Sequence, residues 1–230
     1  MPKTILITGA NGGLGAVTVK KFLDKGYKVI AVDNSGTHLG FAAAHDNFEL
    51  KSVDATNEAE VSAFVEEIIE LYDNIDGALM LVGSFAMGDI AATDGEALRK
   101  MYSINFETAY FFARPLFAHM LEKGYGRITF VGARPALKPE QGKGVLAYSL
   151  TKGMLFHLAD LLNATAKGKN IVASVIAPST IDTAANRKSM PDADFSAWVK
   201  PEEIASLLEL ICSEEGNALR EPIYKIYNNA

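Results

Sequence analysis

Among 230 residues there is a single cysteine, so no disulfide forms within the chain. Cys212 falls in the apolar pattern Ile204, Leu207, Leu208, Ile211, which makes packing in a helix core its expected role. The four histidines, His38, His45, His119 and His157, stand too far apart for metal-ligand spacing, and no metal is expected. No apolar run comes near the roughly 20 residues that span a bilayer. The opening Met1-Pro2-Lys3-Thr4-Ile5-Leu6-Ile7 lacks the apolar region and cleavage site of a signal peptide, which points to a cytoplasmic protein without a membrane partner. Basic clusters are also missing. With a net charge of −6 and no run of Lys or Arg, nucleic acid is not an expected partner, and a small molecule is. No Pro/Ser-rich linker or internal repeat divides the chain, so residues 1–230 are expected to form one domain.

What is present is an alternation. Strands are predicted over Thr4–Ile7, Lys28–Val32, Glu49–Val53, Ala78–Val82, Arg127–Val131, Ile171–Ile176 and Ile223–Tyr227. Between them, Gly13–Lys25, Glu58–Tyr72, Gly95–Lys123, Ala147–Ala166 and Pro201–Ser213 carry helical patterns. Asn57 with Glu60 suits a helix N-cap and its N3 partner, and Pro201 with Glu202 and Glu203 suits a first turn. Repeated strand-helix units of this kind make a parallel sheet with helices on both faces, an α/β fold.

The first such unit carries Thr8-Gly9-Ala10-Asn11-Gly12-Gly13-Leu14-Gly15 between its strand and its helix. Glycines there let backbone N–H groups approach a pyrophosphate, whose charge is favoured at the helix N-terminus, so Gly9, Asn11, Gly12, Gly13, Leu14 and Gly15 are candidate dinucleotide-binding residues. The second strand ends at Asp33, where a carboxylate can bond both hydroxyls of an adenosine ribose. A 2′-phosphate would meet a like charge, and Asn34, Ser35, Gly36 and Thr37 offer no cation to offset it, which favours NAD(H) over NADP(H). Asp54 and Ala55, after the third strand, are candidates for the adenine end, although Asp54 suits a turn before a helix equally well.

Tyr148 and Lys152 are four apart, on one face of the helix that follows the fifth strand. A carbonyl that accepts hydride needs a proton, and a tyrosine can give one if its pKa of about 10 is lowered. A drop of about three units needs roughly 4 kcal/mol, which one cation about 4 Å away supplies at an effective dielectric near 20. The same ammonium could hold a nicotinamide ribose.

Taken together, Thr8, Gly9, Gly13, Gly15, Asp33, Asp54, Asn105, Tyr148, Lys152 and Pro178 resemble the short-chain dehydrogenase/reductase family over essentially the whole chain. The resemblance implies a Rossmann-type, doubly wound sheet of about seven parallel strands, assembled as a homodimer or homotetramer. It implies that Asn105 supports a proton relay to Lys152, that Gly83 lines the cofactor site, and that Ile181 and Thr183 meet the nicotinamide amide. Apolar residues Ala109, Phe111, Phe112, Leu116, Leu155, Leu158, Leu161 and Leu162 suit the family's paired helices and suit a monomer's core equally.

Two departures qualify the match. After the fourth strand, Met80-Leu81-Val82-Gly83 keeps only the final glycine of the family's Asn-Asn-Ala-Gly, and Ala133 stands where its catalytic serine is expected. Losing an oxyanion donor typically costs about 10² in rate. Three readings follow. The dihydropteridine reductases resemble this chain in Gly132-Ala133-Arg134-Pro135-Ala136-Leu137 and in Asp182-Thr183 with the stretch from Asn186 to Trp198, and they too lack the serine. That similarity implies NADH-dependent reduction of a quinonoid dihydropterin. Ser84, Ala133, Arg134, Met190 and Trp198 are the candidate substrate neighbours, and the polar, Pro-containing stretch 184–200 suits a loop or lid over the cofactor. Read by themselves, Met190, Phe195 and Trp198 could equally be local packing. Alternatively Ser84, Ser149 or a water replaces the hydroxyl in a ketone reductase, or the chain senses NAD(H) without chemistry.

Overall fold

A computed structural model describes residues 2–229. Its order along the chain is β1 (Thr4–Thr8), α1 (Gly13–Asp24), β2 (Lys28–Val32), β3 (Phe48–Lys51), α2 (Glu58–Tyr72), β4 (Gly77–Met80), α3 (Gly95–Tyr102), α4 (Thr108–Lys123) and β5 (Tyr125–Val131). It continues with α5 (Arg134–Leu137), α6 (Pro139–Gly142), α7 (Leu146–Thr165), β6 (Asn170–Pro178), α8 (Ala184–Ser189), α9 (Pro201–Cys212) and β7 (Ile223–Ile226). The strands form one seven-stranded sheet, parallel throughout, in the order β3-β2-β1-β4-β5-β6-β7. This is the single-domain, Rossmann-type α/β architecture.

Side chains that alternate along each strand feed a separate core on either face of the sheet. Leu6 of β1 joins Val61, Phe64 and Ile68 of α2, Phe112 and Leu116 of α4 and Leu155 of α7. Its neighbours Ile5 and Ile7 join Val19 and Phe22 of α1 and Ile204 and Leu208 of α9. Cys212 is 1% exposed, and burial pushes its thiol up to about 12, so it serves as packing.

Four differences from the predicted elements bear on the site. β4 stops at Met80, so apolar Leu81 and Val82 leave the sheet and line a cleft. β6 runs on to Pro178, which pairs with Ile226. The stretch predicted as one helix, Gly95–Lys123, is broken by a π-helical turn over Ser103–Glu107 that holds Asn105. Before α2, Asn57 caps as expected, but the Glu60 carboxylate accepts from the backbone of Asp54 instead of closing on Asn57.

Candidate active site

Sheet order reverses direction between β1 and β4, and in doubly wound sheets the crevice for a ligand opens at that point, beyond the strand ends. A cleft of about 370 Å³ lies there, lined by Gly9 and Gly12 after β1, Asp33 after β2, Asp54 and Ala55 after β3, and Val82 and Gly83 after β4. Gly9 takes φ +64°, and a Cβ on it would stand 3.0 Å from the Val82 backbone nitrogen. At Gly15 a Cβ would come within 2.1 Å of the Gly9 carbonyl oxygen, so helix α1 can start against the turn only with glycine there. Gly12 and Gly13 remain exposed, with backbone available to an anion, whereas the Leu14 side chain is buried in the core. The cleft sets open backbone and a carboxylate side by side, as the pyrophosphate and adenosine ribose of a dinucleotide require.

The Asp33 carboxylate accepts from Asn11 N–H at 3.0 Å and from Ser35 N–H at 3.3 Å. Asp54 lies in the cleft lining, but its carboxylate also accepts from the Thr56 amide and hydroxyl, the turn role that its position suggested. These two bonds hold the carboxyl below its ordinary range.

Helix α7 carries Tyr148 and Lys152 one turn apart. Lys152 is 5% exposed, and its ammonium donates to the Val131 carbonyl at 2.8 Å. A Cβ at Gly83 would lie 2.8 Å from that Nζ and 3.1 Å from Asn105 Oδ1, so glycine at 83 makes room for both. The Asn105 side chain, fully buried in the π turn, accepts from Ser84 N–H at 2.8 Å and donates to Thr151 Oγ1 at 3.4 Å. It therefore ties the end of β4 to the helix that carries the lysine. Widened turns of this kind recur at functional sites.

Charge tuning runs opposite to expectation here. Burial pushes the Tyr148 phenol up to about 12 and brings the Lys152 ammonium down to about 8. Removal from water disfavours the charged form of each, and the lysine is engaged with a main-chain carbonyl. The phenol keeps its proton at neutral pH in this state.

Ala133 is 3% exposed and immediately precedes α5 as its N-cap residue. Of the side chains weighed as stand-ins for the missing hydroxyl, Ser149 donates to the Pro135 carbonyl at 3.0 Å, fastening α5 to α7, while Ser84 is held through its backbone. Arg134 lies over the Tyr227 ring at 5.3 Å. Sequence reasoning missed Phe85, which is 58% exposed and meets the Tyr148 ring edge-on at 5.0 Å between centroids. An aromatic two residues after Gly83, beyond the end of the fourth strand, was the available signal.

The segment after β6 reaches back over the Gly-rich turn. A Cβ at Gly13 would lie 2.9 Å from Thr183 Cγ2, and the Thr183 hydroxyl caps α8 by accepting from Asn186 N–H. The Ile181 carbonyl accepts from the Asn186 side chain. Farther along, Trp198 is 6% exposed against Phe195, with Asn228 donating to its carbonyl, so packing describes Trp198; Met190 stays 40% exposed.

A phenol and an ammonium beside a dinucleotide cleft are the groups that hydride chemistry needs, and the chain is an NAD(P)-dependent oxidoreductase. It belongs to the short chain dehydrogenase family, whose sequence profile matches residues 3–194. A dihydropteridine reductase of Dictyostelium discoideum is 30% identical over 212 residues, covering 90% of this chain and 87% of that protein. Peroxisomal multifunctional enzyme A of the same organism is 28% identical over 232 residues, covering 93% of this chain and 50% of that larger protein. Among solved structures, ElxO with NADP bound superposes with a TM-score of 0.89 at 20% identity, covering 98% of this chain and 97% of that one.

Proposed function

We propose that the chain is an NADH-dependent reductase of a flat, conjugated substrate of the quinonoid dihydropterin kind. One observation carries the substrate side: buried Ala133 offers a methyl group where ketone chemistry needs a hydroxyl, while the exposed Phe85 ring beside Tyr148 offers a surface for a planar ring. A ring that spreads developing charge over its nitrogens depends less on a single oxyanion donor. The similarity to a dihydropteridine reductase agrees with this class.

A bound dinucleotide would supply the hydride. Asp33 would hold the adenosine ribose, the amides of Gly12 and Gly13 the pyrophosphate, and Lys152 the nicotinamide ribose, with Ile181 and Thr183 near the amide. Asp33 repels a 2′-phosphate, which supports NADH as the partner. Tyr148 holds a proton at its hydroxyl and gives it to the substrate ring, and Lys152, whose Nζ shares with Asn105 Oδ1 the space left by the missing side chain of Gly83, restores that proton.

We also infer a homo-oligomer, with a revised face. Ala109, Phe112, Leu116 and Leu155 are buried in the core, whereas Tyr102, Tyr110, Leu150, Met154 and Leu161 stay exposed. Tyr102, Phe106 and Tyr110 form a stacked ladder with centroids 5.4 and 6.0 Å apart.

The test is NADH oxidation with a quinonoid dihydropterin and with a panel of ketones. Turnover of the pterin, reduced about 10² by Tyr148→Phe, is expected. Turnover of ketones alone would overturn the substrate class, and undiminished turnover by Tyr148→Phe would overturn the acid. NADH binding without turnover of any substrate would favour a sensor.

A further inference from the structure

Asn11 is the most heavily bonded polar residue around the cleft, and none of its partners beyond the turn is nearer than 22 residues in sequence. Its backbone N–H donates to Asp33 Oδ2 at 3.0 Å. Its side-chain Nδ2 donates to Ser35 Oγ at 2.8 Å and to Thr37 Oγ1 at 3.2 Å. Its Oδ1 accepts from His38 N–H at 2.7 Å, and its carbonyl lies 2.8 Å from His38 Nδ1. One short side chain thus closes the segment 35–38 back onto the Gly-rich turn. The Asp33 carboxylate lies inside that closure, held from the turn by Asn11 N–H and from the segment by Ser35 N–H.

From this network we infer that Asn11 is a positioning residue for cofactor choice: it fixes the carboxylate of Asp33 by clamping the segment after β2, and so sets the discrimination between an unmodified and a 2′-phosphorylated adenosine ribose. The inference rests on Asp33 serving as the ribose acceptor. A carboxylate free to swing toward water would both bind ribose hydroxyls less well and repel a phosphate less. One held on two sides keeps its charge where a 2′-phosphate would lie. Ser35 and Thr37 cannot offset that charge because they are neutral, and their hydroxyl oxygens already accept from the clamp. The segment is solvent-exposed at Asn34, Ser35, Thr37 and His38 before the chain is anchored again at buried Leu39, so these bonds hold its exposed part.

The experiment uses fragments that report the adenosine end alone: 5′-AMP and adenosine 2′,5′-bisphosphate, titrated into the full chain by calorimetry. Two variants are compared with wild type. Asn11→Ala removes the clamp from the turn side, and Ser35→Ala/Thr37→Ala removes two of its bonds from the segment side without altering the turn. Both are expected to lower the preference for 5′-AMP over the bisphosphate about tenfold, chiefly by weakening 5′-AMP. Hydrogen exchange at the His38 amide should accelerate in Asn11→Ala.

Equal weakening of both ligands, or an unchanged ratio in both variants, would overturn the clamp and leave Asn11 a residue of the turn. Failure of the NADH assignment is a separate result, seen when wild type itself prefers the bisphosphate. A shift of that ratio in both variants would still support the clamp.

Discussion

Ala133→Ser restores the hydroxyl that the family's catalysis uses, and its consequences can be worked out for stability and rate separately. Backbone at 133 is extended, with φ −160° and ψ 148°, so serine fits without strain. Because this position immediately precedes α5, the introduced serine would be an N-cap, and a capping oxygen accepts from the second or third amide of the helix. The second helical residue is Pro135, which has no N–H, and the third, Ala136, already donates to the Ala133 carbonyl at 3.1 Å. The capping gain is therefore held to about 0.5 kcal/mol, the low end for such caps. Against it stands a hydroxyl in a site 3% exposed, which costs about 1–3 kcal/mol where it finds no partner. The net is a loss of about 1 kcal/mol, or roughly 2–4 °C in Tm for a chain of this size.

The rate effect has the other sign and is selective. A positioned donor to a developing oxyanion is worth about 10² in rate, but only for a substrate that concentrates negative charge on one oxygen. Reduction of simple ketones should rise by about that factor in kcat/KM, while reduction of a quinonoid dihydropterin changes less than about threefold. NADH consumption with both substrate types, beside a melting curve for each protein, provides the measurement. A variant that melts as expected but gains equally on both substrates would refute the claim that Ala133 selects for a conjugated ring. Absence of any ketone gain would refute the placement of that hydroxyl at the reacting atom.

Lys152→Met should be inactive yet more stable at neutral pH. The ammonium is brought from its ordinary value of 10.5 down to about 8 by burial, so keeping it charged at pH 7 costs on the order of 3 kcal/mol, partly offset by the lost bond to the Val131 carbonyl. Between pH 8 and 10.5 the unfolded chain binds the proton and the folded one does not, so wild-type stability should rise with pH across that window. Above pH 10 the raised Tyr148 works against it, because the folded chain then holds a proton that the unfolded chain has lost. Chemical denaturation at pH 7 and pH 9.5 reads this: a difference between wild type and Lys152→Met that fails to shrink at the higher pH would refute the assignment. Gly83→Ala puts a methyl 2.8 Å from Lys152 Nζ, and kcat should fall at least tenfold with Tm changed by only a few degrees. Normal turnover would mean that the ammonium need not stand where it does.

The sheet was legible because its central strands are short apolar runs buried on both faces, and burial is what those runs encode. Lys28–Val32 and Glu58–Tyr72 emerge with the predicted bounds. Errors arise where an apolar residue serves more than the core. Leu81 and Val82 look like strand and are cleft wall. The break at Ser103–Glu107 was hidden for a related reason: a π turn keeps helical composition and differs only in hydrogen-bond spacing. Pro115, the obvious helix breaker, sits inside α4 instead.

At the site, legibility divides by the kind of bond that gives a residue its role. Gly9, Gly15, Tyr148 and Lys152 fall at fixed spacings within one strand-turn-helix unit or one helix face, so spacing exposes them even though Gly9 also meets Val82 and Lys152 the Val131 carbonyl. Asn11 and Asn105 act through partners between 21 and 46 residues away, and an asparagine in a turn or helix looks the same with or without those partners. Asn105 was found only by resemblance, and its side-chain contact with the Ser84 amide adds to the proton relay that the resemblance implied. Phe85 is the converse: its exposure has no structural motive that composition can register, and its meaning comes from the Tyr148 ring 5.0 Å away. Polar and aromatic residues that do not serve the core are therefore the hardest to read from this sequence, and Asn11 and Phe85, on which the proposals for cofactor and substrate selectivity rest, are of that kind.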